Sequence, residues 1–205
     1  ENEPIIKSDG AGQLMQWLAS TGGSNITVDE SAANKLSMTV GLLDVGHGLG
    51  GDTDSTAIGK DALHGTAADA INNTAIGSLA LESIDASDNN TAVGYHALTN
   101  FYGHNATAIG SGAGENALAV SNLVAIGKNA APNLQSGDSN TCVGTSSLGT
   151  ITGENNVALG YATLNGNCTD DNTAIGKSAL QVFTGANAVA VGSSAGSTIT
   201  AATDC

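Results

Sequence analysis

The sequence predicts an all-β chain, built as a parallel β-solenoid of about nine to ten coils of 16–18 residues. Three observations carry that reading. A variant of Asn-Thr-Ala-Ile-Gly recurs nine times, starting at residues 56, 74, 91, 107, 124, 141, 157, 173 and 189. A short, fixed period marks a stacked repeat, in which each unit buries its apolar side against its neighbours. The motif itself is strand-like: its first residue is Thr or Val and its third is Ile, Val or Leu. Its second residue is Ala in eight copies and Cys142 in the other, and its fourth is Gly in all nine. Finally, 28 Gly and an abundance of Thr, Asn and Val leave no window long enough for a helix.

Taken in order, residues 1–37 lack the repeat and read as an N-terminal β-meander or adaptor. Pro4-Ile5-Ile6-Lys7 and Leu14-Met15-Gln16-Trp17 flank Asp9-Gly10-Ala11-Gly12 as a hairpin. A turn at Thr21-Gly22-Gly23 then leads to a strand around Asn25-Ile26-Thr27-Val28. Met38-Thr39-Val40-Gly41 lies 18 residues before Thr56 and is expected to form a degenerate first coil, so the repeat domain spans 38–196. Residues 197–205 form a C-terminal tail with no partner coil and are expected to fray. The chain begins at Glu1 and reads as a fragment or a processed product.

Inside the repeat, each unit holds a short strand, a turn at Gly, a second apolar segment and a polar return. The second segment is visible as Ala62-Leu63, Ala80-Leu81, Ala97-Leu98, Ala130-Ala131 and Ala179-Leu180. A unit of this length fits one flattened two-strand loop, and coils stack about 4.8 Å apart. Side chains alternate along a strand, so Thr and Ile face one way and Ala the other. The Ile and Leu columns are expected to fill the narrow interior. The Ala column then lies on a flat outer face that a second chain can approach closely. The Gly column is expected at positive φ, or where a Cβ has no room. One Ile and one Leu per coil make a thin core, which favours association with other chains.

Composition narrows the function. The net charge is −14, with five Lys, no Arg and 19 acidic residues. Such a chain lacks the cations for nucleic-acid binding, and anionic membrane surfaces repel it. No window approaches the apolar length of a membrane-spanning helix. Three Cys exclude a complete intrachain disulfide set. Cys142 is expected to be a small buried residue, and Cys168 and Cys205 are expected to be free thiols.

The motifs that could carry chemistry reduce to the repeat. Gly46-His47-Gly48-Leu49-Gly50-Gly51 matches G-x-G-x-x-G, yet another repeat strand follows it where a dinucleotide site needs a helix. Gly192-Ser193-Ser194-Ala195-Gly196 matches a nucleophile elbow but is the repeat's own register, and no His follows it. His47, His64, His96 and His104 lack zinc-ligand spacing. Asp52 with Asp54 and Asp170 with Asp171 crowd oxygens into turns without a calcium-loop pattern. No catalytic, cofactor or metal residue is therefore predicted, and the chain reads as a non-enzyme. The sequons at Asn25, Asn72, Asn89, Asn105 and Asn167 fall mostly in the Asn-Asn-Thr-Ala register, where Asn holds a turn or forms a ladder.

The strings Asn72-Asn73-Thr74-Ala75-Ile76-Gly77-Ser78-Leu79-Ala80-Leu81 and Asn89-Asn90-Thr91-Ala92-Val93-Gly94-Tyr95-His96-Ala97-Leu98 resemble the head repeats of trimeric autotransporter adhesins. They are more similar still to the Asn-Thr-Ala-x-Gly-x-x-Ala-Leu repeats of phage and large-virus tail fibres. The resemblance covers about residues 38–196. It implies a left-handed parallel β-roll, three chains around one axis, and a role in attachment at a virion surface. The partners it implies are two further copies, other virion structural proteins and a host cell-surface receptor, glycan or protein. The adhesin repeat is usually shorter, and no stalk or anchor is present here. A bacterial adhesin head is therefore the alternative, followed by an ice-binding solenoid with stacked Thr and then a polysaccharide-degrading spike. The candidate receptor-binding residues are Tyr95, His96, Phe101, Tyr102, His104 and Tyr161. Three of the six aromatic residues fall in the coil 91–106, and Tyr161 repeats the register of Tyr95 one residue past the Gly.

Overall fold

The structure, a computed structural model, describes residues 26–29, 37–40, 43–46, 54–65, 70–84, 86–149 and 152–200. The described part is all-β. Strands β1 (Ile26–Asp29), β2 (Ser37–Val40) and β3 (Leu43–Gly46) form an antiparallel meander, and β3 pairs antiparallel with β4 (Thr56–Ile58). The sheet then becomes parallel. Along the chain follow β5 (Thr74–Ile76), β6 (Ser83–Ile84), β7 (Thr91–Val93), β8 (Asn100–Phe101), β9 (Thr107–Ile109) and β10 (Val124–Ile126). They continue with β11 (Thr141–Val143), β12 (Val157–Leu159), β13 (Thr173–Ile175) and β14 (Val189–Val191). The nine motif strands stack in one parallel ladder with motif residues in register, Thr56 on Thr74 and Ala57 on Ala75. The result is a β-solenoid.

Two expectations at the ends are corrected. The strand around 25–28 is present as β1, but residues 38–41 do not form a first coil. Ser37–Val40 is antiparallel to both neighbours, so the parallel stack begins at Thr56. The proposed hairpin at residues 4–17 lies outside the described residues. At the other end, the part of the tail that is described, residues 197–200, is held by the bond from Thr184 N to Thr200 O at 2.9 Å, and residues 201–205 lie outside the described residues.

Each coil turns the same way at the same residue. The Gly N–H donates to the Ile, Val or Leu carbonyl of the coil before, as in Gly77 to Ile58 at 2.7 Å. The Ala three residues on donates back to the Gly carbonyl, as in Ala80 to Gly77 at 3.3 Å. With positive φ at Leu79 (61°), this is a type II-like turn. The Gly column has φ between 123° and 137°, as its register required.

The second apolar segment is a run of turns rather than a regular second strand. Among the described residues, pairing on that side is confined to β6 with β8 and a bridge from Ala119 to Ser136. The Leu of this segment adopts positive φ at Leu63, Leu81, Leu98, Leu148, Leu164 and Leu180. Left-handed backbone costs a branched residue of order 1 kcal/mol or more. The offset is a bond to the next coil at each level, such as Leu98 N to Ala113 O at 2.9 Å, together with complete burial of the side chain.

The interior reverses one expectation. The Ala column faces inward: Ala75, Ala92, Ala108, Ala125, Cys142, Ala158 and Ala174 are fully buried. The Ile column faces outward, with Ile76, Ile109, Ile126, Val143 and Ile175 at 36–41% exposure. The Leu column is inside, as expected. The strand wall packs against the buried Leu side chains, Phe101 and Phe183, and its inward column holds small side chains, Ala at eight levels and Cys142 at the ninth. All of these residues form one core cluster.

A polar spine runs beside the Ala column. The residue before each motif is buried at every level, and it is Asn at 73, 90, 140, 156 and 172. Asn73 Oδ1 accepts from Asn90 N, and Asn90 Oδ1 accepts from Ala106 N, each at 2.9 Å. The spine is interrupted by Ala106 and Leu123 and resumes at Asn140. Asn156 N donates to Asn140 Oδ1 at 2.9 Å, Asn172 N to Asn156 Oδ1 at 3.0 Å, and Ala188 N to Asn172 Oδ1 at 3.0 Å. The amide nitrogens of Asn73, Asn90, Asn140 and Asn172 donate to loop carbonyls, as in Asn140 Nδ2 to Gly153 O at 2.9 Å, and Asn156 Nδ2 donates to Asn140 Oδ1 at 3.1 Å. The amides are thus paired on both sides, as buried polar groups must be.

Candidate functional site

The strand face that looks outward is flat because the repeat forbids anything else. Each coil contributes one three-residue strand at about 4.8 Å spacing. Each strand presents its first and third residues on this face. The first column reads Thr at 56, 74, 91, 107, 141 and 173, and Val at 124, 157 and 189. The third column is Ile, Val or Leu throughout. β-branched side chains are stiff about χ1, so this surface is ordered before it meets anything. A continuous apolar stripe along the stack is more than scattered surface residues.

Two columns border this face. Two residues ahead of each strand from β5 onward in this ladder lies a left-handed position, occupied by Asn72, Asn89, Asn105, Asn122, Ser139, Asn155, Asp171 and Asn187 with φ between 55° and 61°. Asn and Asp accept that conformation most readily among residues with a side chain. Two residues behind each strand, just past the Gly, lies the sequence Lys60, Ser78, Tyr95, Ser111, Lys128, Thr145, Tyr161, Lys177, Ser193. All Lys of the described residues stand in this column. So do Tyr95 and Tyr161, at 57% and 56% exposure.

The six candidate residues do not form one patch. Tyr95 and Tyr161 share the column past the Gly but sit four coils apart, roughly 19 Å at the strand spacing. His96 is in the left-handed turn position beside Tyr95, and the two rings meet edge-on with centroids 4.1 Å apart. Its Nδ1 lies 3.5 Å from Glu115 Oε1, within ion-pair distance but without hydrogen-bond geometry. Phe101 is a correction: it is completely buried in β8, stacked on Ile84 of β6, and is a core residue. Tyr102 follows it, points outward by strand alternation and is 49% exposed. His104 belongs to another ladder, three residues ahead of the strand. There Asp88 N donates to His104 Nδ1 at 3.1 Å, as Ile71 N does to Asp88 Oδ1 and Ser121 N to Asp138 Oδ1.

This ladder also accounts for part of the acidic pattern. Asp88, Asp138 and Asp170 accept backbone N–H groups from the preceding coil. Asp171 holds a left-handed corner. Asp52 lies outside the described residues. Among those described, no group of three or more His, Cys, Asp or Glu is placed to hold a metal ion. Cys142 and Cys168 are free and buried, and burial pushes both thiols up to about 12. The Gly-rich motif at 46–51 lies largely outside the described residues. Ser194 of the second motif is in the same left-handed turn position as His96 and Ser178.

Sequence reasoning missed the outward Ile and Val column and the lysines beside it. The signal was in the repeat alignment: the position that tolerates only Ala or Cys is the crowded one, while the position that varies freely among Ile, Val and Leu has open space. Compared with protein-family models, with curated proteins and with solved structures, the chain matches none.

Proposed function

We propose that this chain is a non-enzymatic structural and attachment protein, the shaft or tip of a homotrimeric virion fibre that contacts a host surface. The observation that supports it best is the unbroken Ile and Val stripe on a flat, preformed sheet face. Three such faces around one axis remove the stripe from water, and the roll in this reading is left-handed. The trimer therefore rests on the Ile column rather than on the Ala column. Outward groups away from the strand face, Tyr102 foremost, offer flat surfaces for a glycan or a protein receptor. Virion structural proteins are the partners at the meander end. The net charge of −14 disfavours nucleic acid and anionic lipid as targets.

The test joins mass with location. Sedimentation should give three times the 20.0 kDa chain mass, and antibody labelling should decorate projections of virus particles. A stable monomer at micromolar concentration would sink the reading. Label on a bacterial outer surface would move the chain to the alternative, a trimeric adhesin head.

One further reading is favoured by a specific observation. The outward Thr column presents hydroxyls at four successive levels, 56 to 107, and again at 141 and 173, interrupted by Val at 124, 157 and 189, as a partial ice-binding face would. It needs the same face free in a monomer, so thermal hysteresis from a monomeric chain selects it over the fibre.

A further inference from the structure

The two columns that border the outward face carry opposite chemistry at matching coil levels. In the coil of Thr173, the leading column holds Asp171 and the trailing column holds Lys177. In the coil of Thr56 the same positions are Asp54 and Lys60, and these are the only Asp residues in the leading column. Tyr95 and Tyr161 stand level with Asn89 and Asn155. Within one chain Lys60 has its own partner, Asp61 at 3.1 Å. Among the described residues no ion pair within the chain involves Lys177 or Asp171.

Rotation about an axis along the rod fixes what these columns meet. In any ring of parallel copies, the leading edge of one face lies against the trailing edge of the next, at the same level. An antiparallel pair brings like edges together at mismatched levels. We infer that Asp171 of one copy pairs with Lys177 of the next, and that this contact sets copies of the chain parallel and in register around the Ile and Val faces. The proposal rests on the assembly reading above and adds what fixes its orientation. A stripe that repeats every 4.8 Å or so is nearly the same after a slip of one coil, so apolar contact alone does not choose a register. A charge pair set at fixed levels of the stack, and absent from the levels beside them, does. Tyr95 and Tyr161 supply a second marker: an in-register ring sets each phenol beside the Asn89 or Asn155 amide of its neighbour.

The repeat provides its own replacements for a test. Asn occupies the leading column at 155 and 187, and Ser the trailing column at 111 and 193, so Asp171→Asn and Lys177→Ser suit their backbones. The full chain and its single and double variants are compared by sedimentation at low and high salt. Each single change should raise the dissociation constant about tenfold at low salt, since every interface of the ring loses its pair. The double variant should be within about threefold of either single, because the pair is lost only once. High salt screens the repulsion between copies that each carry −14 and should favour association of both chains, but less for the parent, whose pair it also screens, so the gap between parent and double variant should narrow. Singles that assemble like the parent, or losses that simply add, overturn the pairing while leaving the assembly in place. A monomeric parent overturns the assembly itself.

Discussion

Gly94 lies so close to the next coil that a Cβ placed on it would be 2.6 Å from the carbonyl oxygen of Gly110. The same contact recurs up the column, from Gly77 against Gly94 to Gly176 against Gly192. Two demands coincide at each level: φ near 130°, which L residues rarely adopt, and no space for even one carbon.

Gly192 separates the two demands. It keeps a φ of 125°, but the nearest atom to its Cβ would be that of Ala195 at 4.0 Å. Gly94→Ala should therefore cost more than about 3 kcal/mol, strain and clash together, and Gly192→Ala only about 1–2 kcal/mol. Chemical denaturation of both variants checks the order. Equal losses would mean that close stacking contributes nothing.

Ala92→Leu should destabilise the roll itself, by about 2 kcal/mol or more, because three added carbons enter a fully buried position. Ile109→Ser, on the outward face, should leave the melting of the isolated roll nearly unchanged and weaken association. Circular dichroism against sedimentation tells the two apart. An Ala92→Leu chain that melts like the parent would put the Ala column outside.

Asn156→Leu should cost about 1–3 kcal/mol, although Leu123 shows that the spine position admits the volume. The substitution leaves Asn172 N and Nδ2 without the acceptor they share at 3.0 Å. Urea unfolding gives the loss, and a neutral result would show that the spine is dispensable.

Burial pushes Cys142 and Cys168 from the ordinary value of 9.0 up to about 12. Between those values the folded chain keeps thiol protons that the unfolded chain releases. Stability is therefore full below about pH 9 and falls as the pH rises through about 12. In a Cys205→Ser chain, thiol reagents at pH 8 should find no reactive group until denaturant is added. Rapid labelling of the native chain would contradict this burial.

The period, the strand positions, the Gly turn and the parallel stacking were all legible in the sequence, because each depends on local spacing. The side of the sheet that faces inward was not. Alternation says that Ala opposes Thr and Ile, but only the distance to the Leu and Phe residues across the coil decides which set is enclosed. Hydrophobicity pointed to Ile and was wrong, since the enclosed column holds only the small side chains of Ala and Cys142. The doublet Asn-Asn was readable as a ladder. Its division of labour, with Asn89 exposed at a left-handed corner and Asn90 buried in the spine, needed the coil geometry. Phe101 sat in what looked like a loop, and its inward direction came from pairing with the previous coil. Met38–Gly41 shared the spacing of the repeat without its Ala, and spacing alone did not make it a coil.

Because every junction between levels uses the same backbone bonds at the same residues, the rod behaves as a ruler graduated in units of one motif. Removing or duplicating a whole unit changes its length by about 4.8 Å and leaves each remaining level as it was. The length of the stack can thus be increased or decreased without redesigning the fold.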